Sequence, residues 1–104
     1  MSGTSVDGVD AVLAYFGAQG LRRSAAHVHL EMPSSLRAEL LSLNAVGSNE
    51  LHRAALAANG LMRLYADACR AVACDAGVEL VGVRAIGAHG QTVRHRPGEF
   101  LALR

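Results

Sequence analysis

Leu51, Ala55, Ala58, Met62, Tyr65, Cys69 and Val72 recur at the three-to-four-residue spacing of an α-helix and give it one apolar face. Ser48 or Asn49 can cap its start, and Gly77 marks its end. A helix that long and one-sided must lay its stripe on another layer of structure. The segment "VDAVLAYF" at Val9–Phe16 is rich in strand formers, "GAQG" at Gly17–Gly20 has turn chemistry, and "LRRSAAHVHLEM" can return as a second strand, which together predict a hairpin. Pro33 and the serines after it can start a short helix over Leu36–Leu43. Beyond the long helix, "VRAIGAHG" reads as a short buried strand and "FLALR" as the start of another after the "RPG" turn. The order strand, strand, helix, helix, strand, strand predicts an α/β or α+β fold.

Length and composition narrow the function. With 104 residues, 51% of them hydrophobic, 18% charged and a net charge of +1, the chain is expected to fold as one small domain or a piece of a larger one. Nothing in that balance suggests a broad electrostatic grip on nucleic acid. All ten cations are arginine, so Schiff-base chemistry and the lysine of a Walker A loop are both excluded. Two Tyr, two Phe and no Trp leave little to stack on bases. Cys69 and Cys74 fit neither a zinc pair nor a CxxC motif and read as reduced structural residues. No charged-then-apolar leader and no run of about 18 apolar residues appear, so the chain is expected to be soluble and cytoplasmic, without a membrane partner.

Two loops carry the chemistry. "SGTSVDG" offers Gly3 and Gly8 for close backbone approach and Ser2, Thr4 and Ser5 for hydrogen bonds, the means by which a loop holds polyphosphate. Asp7 or Asp10 could hold Mg²⁺ through water. The same residues also suit a plain turn in which Thr4, Ser5 and Asp7 satisfy their own backbone. The second loop, "GAHGQTVRHRP" at Gly87–Pro97, follows the expected third strand, the edge at which α/β sheets collect ligands. His89, Gln91 and Thr92 can bond sugar hydroxyls or phosphate, and Arg94 and Arg96 can pair with a carboxylate. Alternatively His89 bonds backbone and the two arginines are solvated. His27 and His29 share a strand face, but no third ligand is evident and no metal site is assigned to them.

Taken together, "MSGTSVDGVD" at the start and "IGAHGQTVRHRP" near the other end resemble the two signatures of the anhydro-N-acetylmuramic acid kinase family, in matching order and separation. A weaker similarity runs through "MPSSLRAELLSL" and "ELHRAALAANGLMRLYADA", so the resemblance covers essentially all of the chain but only the N-terminal part of a longer family member. It implies the sugar-kinase, actin and heat-shock ATPase superfold, with this chain the N-terminal part of a ribonuclease H-like domain: a mixed sheet with one long helix. It implies ATP as cofactor with Mg²⁺, and conversion of 1,6-anhydro-N-acetylmuramic acid, ATP and water to N-acetylmuramic acid 6-phosphate and ADP, in peptidoglycan recycling.

On the family pattern the nucleotide-phosphate loop falls on Gly3, Thr4, Ser5, Val6, Asp7, Gly8, Val9 and Asp10. The sugar-side contacts fall on His89, Gln91 and Thr92 within the segment 89–95. The resemblance places the catalytic base on an aspartate of a later motif, so that role is assigned to neither Asp7 nor Asp10. It suggests a homodimer for the full-length enzyme. Both ends of the chain look cut, and the 104 residues alone are expected to form an incomplete N-terminal domain without activity. The rival expectation is a non-catalytic fragment or degenerate remnant that at most binds nucleotide or another chain; a small helical interaction domain would leave both loops unexplained.

Overall fold

The computed structural model describes residues 6–99. Strands β1 (Gly8–Gly17) and β2 (Gly20–Glu31) form the expected hairpin, followed by α1 (Ser34–Ser42) and α2 (Glu50–Asp75). Gly20 closes the hairpin turn at φ 107°, a backbone region open to glycine because it has no Cβ. Pairing is antiparallel and unbroken from Gly8↔Glu31 to Leu13↔Ala26; irregularities follow between Leu13 and Ala14 and between Tyr15 and Phe16. Among the described residues the sheet is this two-stranded antiparallel ribbon, whereas the sequence reading expected a mixed sheet.

The strands alternate in the way a half-buried ribbon must. Val9 is buried, and Ala11 and Leu30 pack on the core beside it. Asp10, Val12, His27 and His29 occupy the opposite face. α2 lies across the inner face and contacts both strands, and α1 packs against α2. The core joins Val6, Val9, Met32, Leu40, Leu43, Ala57, Leu61, Tyr65 and Ala68. Beyond it the distal hairpin leaves Phe16 and Leu21 exposed. That projection contributes to a radius of gyration of 16.5 Å, against about 13 Å expected for a compact domain of this size.

The long helix is where the sequence places it, but its buried face is rotated. Ala57, Leu61, Tyr65, Ala68 and Val72 are buried, while Leu51 is 89% and Met62 49% exposed, and Ala55 and Ala58 also face outward. Two apolar stripes coexist in this alanine- and leucine-rich helix. The buried one carries the small residues that let neighbouring backbones approach, and beside it Gly60 meets the Leu36 side chain of α1. Asn49 is the N-cap residue but makes no side-chain cap; at φ 55° it turns the chain, and the Glu50 carboxylate accepts the Gly47 N–H at 2.7 Å. At the other end Gly77 (φ 69°) donates to Cys74 O at 3.0 Å and Val78 to Ala73 O at 2.9 Å, a Schellman closure.

The segment 83–90, expected as a buried strand, is instead irregular backbone after a single 3₁₀ turn at Leu80–Gly82, and Ile86 is 65% exposed. Its apolar residues suit a strand, but a strand also needs a ladder, and among the described residues the only pairing is β1 with β2. The further strand expected at 100–104 lies outside the described residues. Among those described, no helix is long and apolar enough to cross a membrane.

Candidate functional site

The first loop enters β1 through Val6, a β-branched residue at φ 54°. Valine is rarely held in that left-handed region, and such outliers persist where surrounding structure fixes them. Here the fixing is visible: the Val6 side chain is buried in the core, and the next residue's carbonyl, Asp7 O, accepts the Met32 N–H at 2.9 Å. Val9 is buried likewise, so Val6 and Val9 anchor the segment while the Asp7 and Asp10 side chains are solvent-accessible. Gly3, Thr4 and Ser5 lie outside the described residues.

Gly8 has a local reason to be glycine. A Cβ there would lie 2.5 Å from His29 Nε2 and 2.6 Å from Leu30 O, and would also collide with His29 Cε1. His29 stands opposite Asp10 in the ladder, and Nδ1 of His29 and Nε2 of His27 lie 3.0 and 3.1 Å from Asp10 Oδ1. The hydrogen bond from His29, then that from His27, holds the Asp10 carboxyl below its ordinary value of 3.8. An ionised carboxylate only accepts, so His29 must carry its proton on Nδ1 and His27 on Nε2. This grouping was missed in the sequence, where the two histidines lacked a third partner; the hairpin register supplies Asp10 as that partner. The three side chains form a hydrogen-bonded set, and among the described residues no group of three His, Cys, Asp or Glu side chains is arranged to hold a metal ion.

The second loop is bolted to α2 at both ends. The Tyr65 hydroxyl, from the buried face of the helix, donates to His89 O at 2.9 Å. Arg94 donates to Ala45 O at 2.8 Å and pairs with the Glu50 carboxylate at the helix start. Val93 between them packs on the core. Arg94 thus finds its carboxylate within the chain, and Arg96 lies 3.4 Å from the exposed Glu99. The Gly47 N–H and Arg94 together hold the Glu50 carboxyl below its ordinary 4.5. His89 is exposed with Nδ1 donating to Gly90 O at 3.0 Å, Gln91 is half-buried with its amide 3.3 Å from Thr92 O, and Thr92 is exposed. Asn44, Thr92, Arg94, His95 and Arg96 line a shallow open concavity here. A second depression, at the hairpin tip from Gly17 to Arg22, is made by turn residues outside both loops.

Both loops are therefore mounted on one core, through Val6 and Val9 on one side and Val93 and Tyr65 on the other. The roles of Tyr65 and Glu50 were not legible beforehand: Tyr65 read as one more core position, and Glu50 carried no signal.

The chain resembles known proteins over nearly all of its length. It is 57% identical over 100 residues to the anhydro-N-acetylmuramic acid kinase of Variovorax paradoxus, covering 96% of this chain and 26% of that protein. The kinase of the same description from Bordetella avium is 60% identical over 100 residues (93% and 25%), and that from Thiobacillus denitrificans 50% over 99 residues (95% and 26%). The chain spans about a quarter of the length of these curated relatives. Residues 1–102, which take in both loops and the hairpin and helices between them, match the family described as Anhydro-N-acetylmuramic acid kinase, and the chain belongs to that family.

Proposed function

We propose that these residues form the N-terminal part of an ATP-dependent sugar kinase that converts 1,6-anhydro-N-acetylmuramic acid, ATP and water to N-acetylmuramic acid 6-phosphate and ADP, a cytoplasmic step of peptidoglycan recycling. The observation that carries the reading is the family match across residues 1–102, which spans both loops at once. In this reading 1–104 is an incomplete N-terminal domain of ribonuclease H-like type in the sugar-kinase, actin and heat-shock ATPase superfold, with the rest of the enzyme in further chain and a homodimer as its assembly.

Gly3, Thr4, Ser5, Val6, Asp7, Gly8, Val9 and Asp10 would wrap the ATP phosphates. The described part of that segment supports the reading in one respect: the Val6 and Val9 side chains are buried, so any contact they make is through backbone, while the Asp7 and Asp10 carboxylates are accessible from solvent. Oxygen donors of that kind, few and partly exposed, fit a Mg²⁺ held largely through its own water. When bound, Mg²⁺ would offset phosphate charge. Asp7 and Asp10 would orient its hydration shell. His89, Gln91 and Thr92 would contact the sugar from a loop held still by Tyr65 and Arg94, which favours catalysis by positioning. The base that activates water belongs to a later motif.

The test is ADP release with and without anhydro-N-acetylmuramic acid, using the full-length polypeptide encoded in frame with these residues. Sugar-dependent turnover that falls by at least about a hundredfold in Asp7→Asn is the expected result. A folded product without turnover would reject the kinase and favour the non-catalytic remnant.

A further inference from the structure

The two histidines of β2 lie outside both signature loops, yet both touch the first one. β2 alternates its side chains, so His27 and His29 fall on one face, the face on which β1 presents Gly8 and Asp10. Both rings reach a single atom, Asp10 Oδ1, at 3.0 and 3.1 Å. The His29 ring also fills the volume that a Cβ on Gly8 would take. One imidazole therefore touches two alternate residues of the phosphate loop, and a second imidazole braces the same carboxylate from further along the strand. A lone carboxylate on an exposed strand face samples several rotamers; one receiving two N–H donors from a neighbouring strand is held in place.

We propose that His27 and His29 are positioning residues of the nucleotide-phosphate loop. They fix the Asp10 carboxylate and hold Gly8 against β2, so that the loop meets a nucleoside diphosphate already in its binding shape. The proposal rests on the kinase reading for the identity of the loop, and on the hairpin alone for the contacts. The histidines act through Asp10 and Gly8 and need not touch the nucleotide. Preorganisation of this kind appears in affinity, because a loop already ordered loses less freedom on binding.

The atoms used make a sharp test. His29 donates through Nδ1, which an asparagine amide can replace; His27 donates through Nε2, which a glutamine amide can replace. In the full-length polypeptide, Mg-ADP affinity is measured by titration calorimetry, alongside KM for ATP, KM for the sugar and kcat. His29→Leu is expected to weaken Mg-ADP binding about tenfold, the scale on which outer partners of ligating groups act. KM for ATP should rise with it, while KM for the sugar stays within about twofold. His29→Asn and His27→Gln are expected to recover most of the loss seen in the corresponding Leu variants, and His29→Gln to recover little. Imidazole ¹⁵N shifts should report a proton on Nδ1 of His29 and on Nε2 of His27.

Leu variants that bind Mg-ADP as tightly as the parent would overturn the proposal, as would Asn and Gln variants no better than Leu. A parent that binds ADP in this histidine-dependent way but turns over no sugar leaves the positioning role standing and removes the kinase reading. A parent with sugar-dependent turnover and histidine-independent ADP binding does the reverse. A parent that binds no ADP overturns both.

Discussion

Gly8→Ala separates two reasons for a glycine in the first loop. Were its only use to let a phosphate approach the backbone, the substitution would weaken nucleotide binding and leave folding alone. The structure gives the added methyl no room: Leu30 O would sit 2.6 Å from it and His29 Nε2 2.5 Å, where about 3.4 Å is ordinary contact. The imidazole is the end of a side chain and can swing away, at the loss of its bond to Asp10; the carbonyl belongs to the paired strand and moves only if the strands part. Overpacking of this sort costs about 1–3 kcal/mol, and the conformational advantage of Ala over Gly in a strand offsets roughly 0.5–1 kcal/mol of it. A net loss of about 1–2 kcal/mol is expected, read as a shift in the urea midpoint. Repeating the substitution in a His29→Ala background removes the ring contacts and keeps the carbonyl contact. The cycle should then show a coupling of about 1 kcal/mol, outside the few tenths expected of independent sites. Additivity would refute the claim that the imidazole occupies the glycine's missing side-chain volume.

Tyr65→Phe keeps the buried ring and deletes the bond to His89 O, so stability should fall by about 0.5–1.5 kcal/mol, and amide exchange near His89 should quicken more than exchange in β2; uniform acceleration would mean that the hydroxyl does not tether the loop in particular. Acid should weaken the junction of α1 with α2 and the tie of the second loop to the start of α2. Glu39, held below its ordinary 4.5 first by the hydrogen bond from Arg53, and Glu50, held below it first by the Gly47 N–H and then by Arg94, both bind protons less readily folded than unfolded. Their stabilising contribution is thus complete above about 4.5 and disappears as pH falls through the lowered folded values. Glu39→Gln should flatten the acid limb of a melting-temperature profile while changing the neutral plateau little, since the pair is partly exposed; an unchanged acid limb would exclude the Glu39–Arg53 pair as its cause.

How far the sequence could be read followed the range of the forces involved. The hairpin, the two helices and the Gly77 stop depend on periodicity and turn chemistry within a few residues, and they form where expected. The phase of α2 does not: Leu51 and Met62 are as apolar as Leu61, and only the approach of α1 and the sheet selects the stripe with Ala57 and Ala68. The strand expected over 83–90 fails for a related reason, because composition can suggest a strand but cannot supply its partner. At the sites, residue type marked Asp10, His89, Gln91 and Thr92 as candidates. It could not mark the supports beneath them, since Tyr65–His89 and Arg94–Glu50 join positions distant in sequence, through a tyrosine and a glutamate that look ordinary where they stand.

The hairpin places its regularity where the loop needs it. From Gly8 to Leu13 the ladder is unbroken, and both irregularities fall toward the tip, past the last contact with the histidines. A one-residue slip in the proximal half would exchange the faces, turning Asp10 into the core and Val9 out of it, and would part Asp10 from both imidazoles at once. Burial of Val9 and the register of His29 are thus one constraint seen from two sides: the apolar residue fixes which way the strand faces, and that fixes which carboxylate the histidines can reach. The distal half instead pairs Arg23 over the exposed Tyr15 ring, 4.6 Å from its centroid, and buries neither side chain. There the strand can bulge at Leu13/Ala14 and Tyr15/Phe16 and expose Phe16 without disturbing the segment that follows Val6.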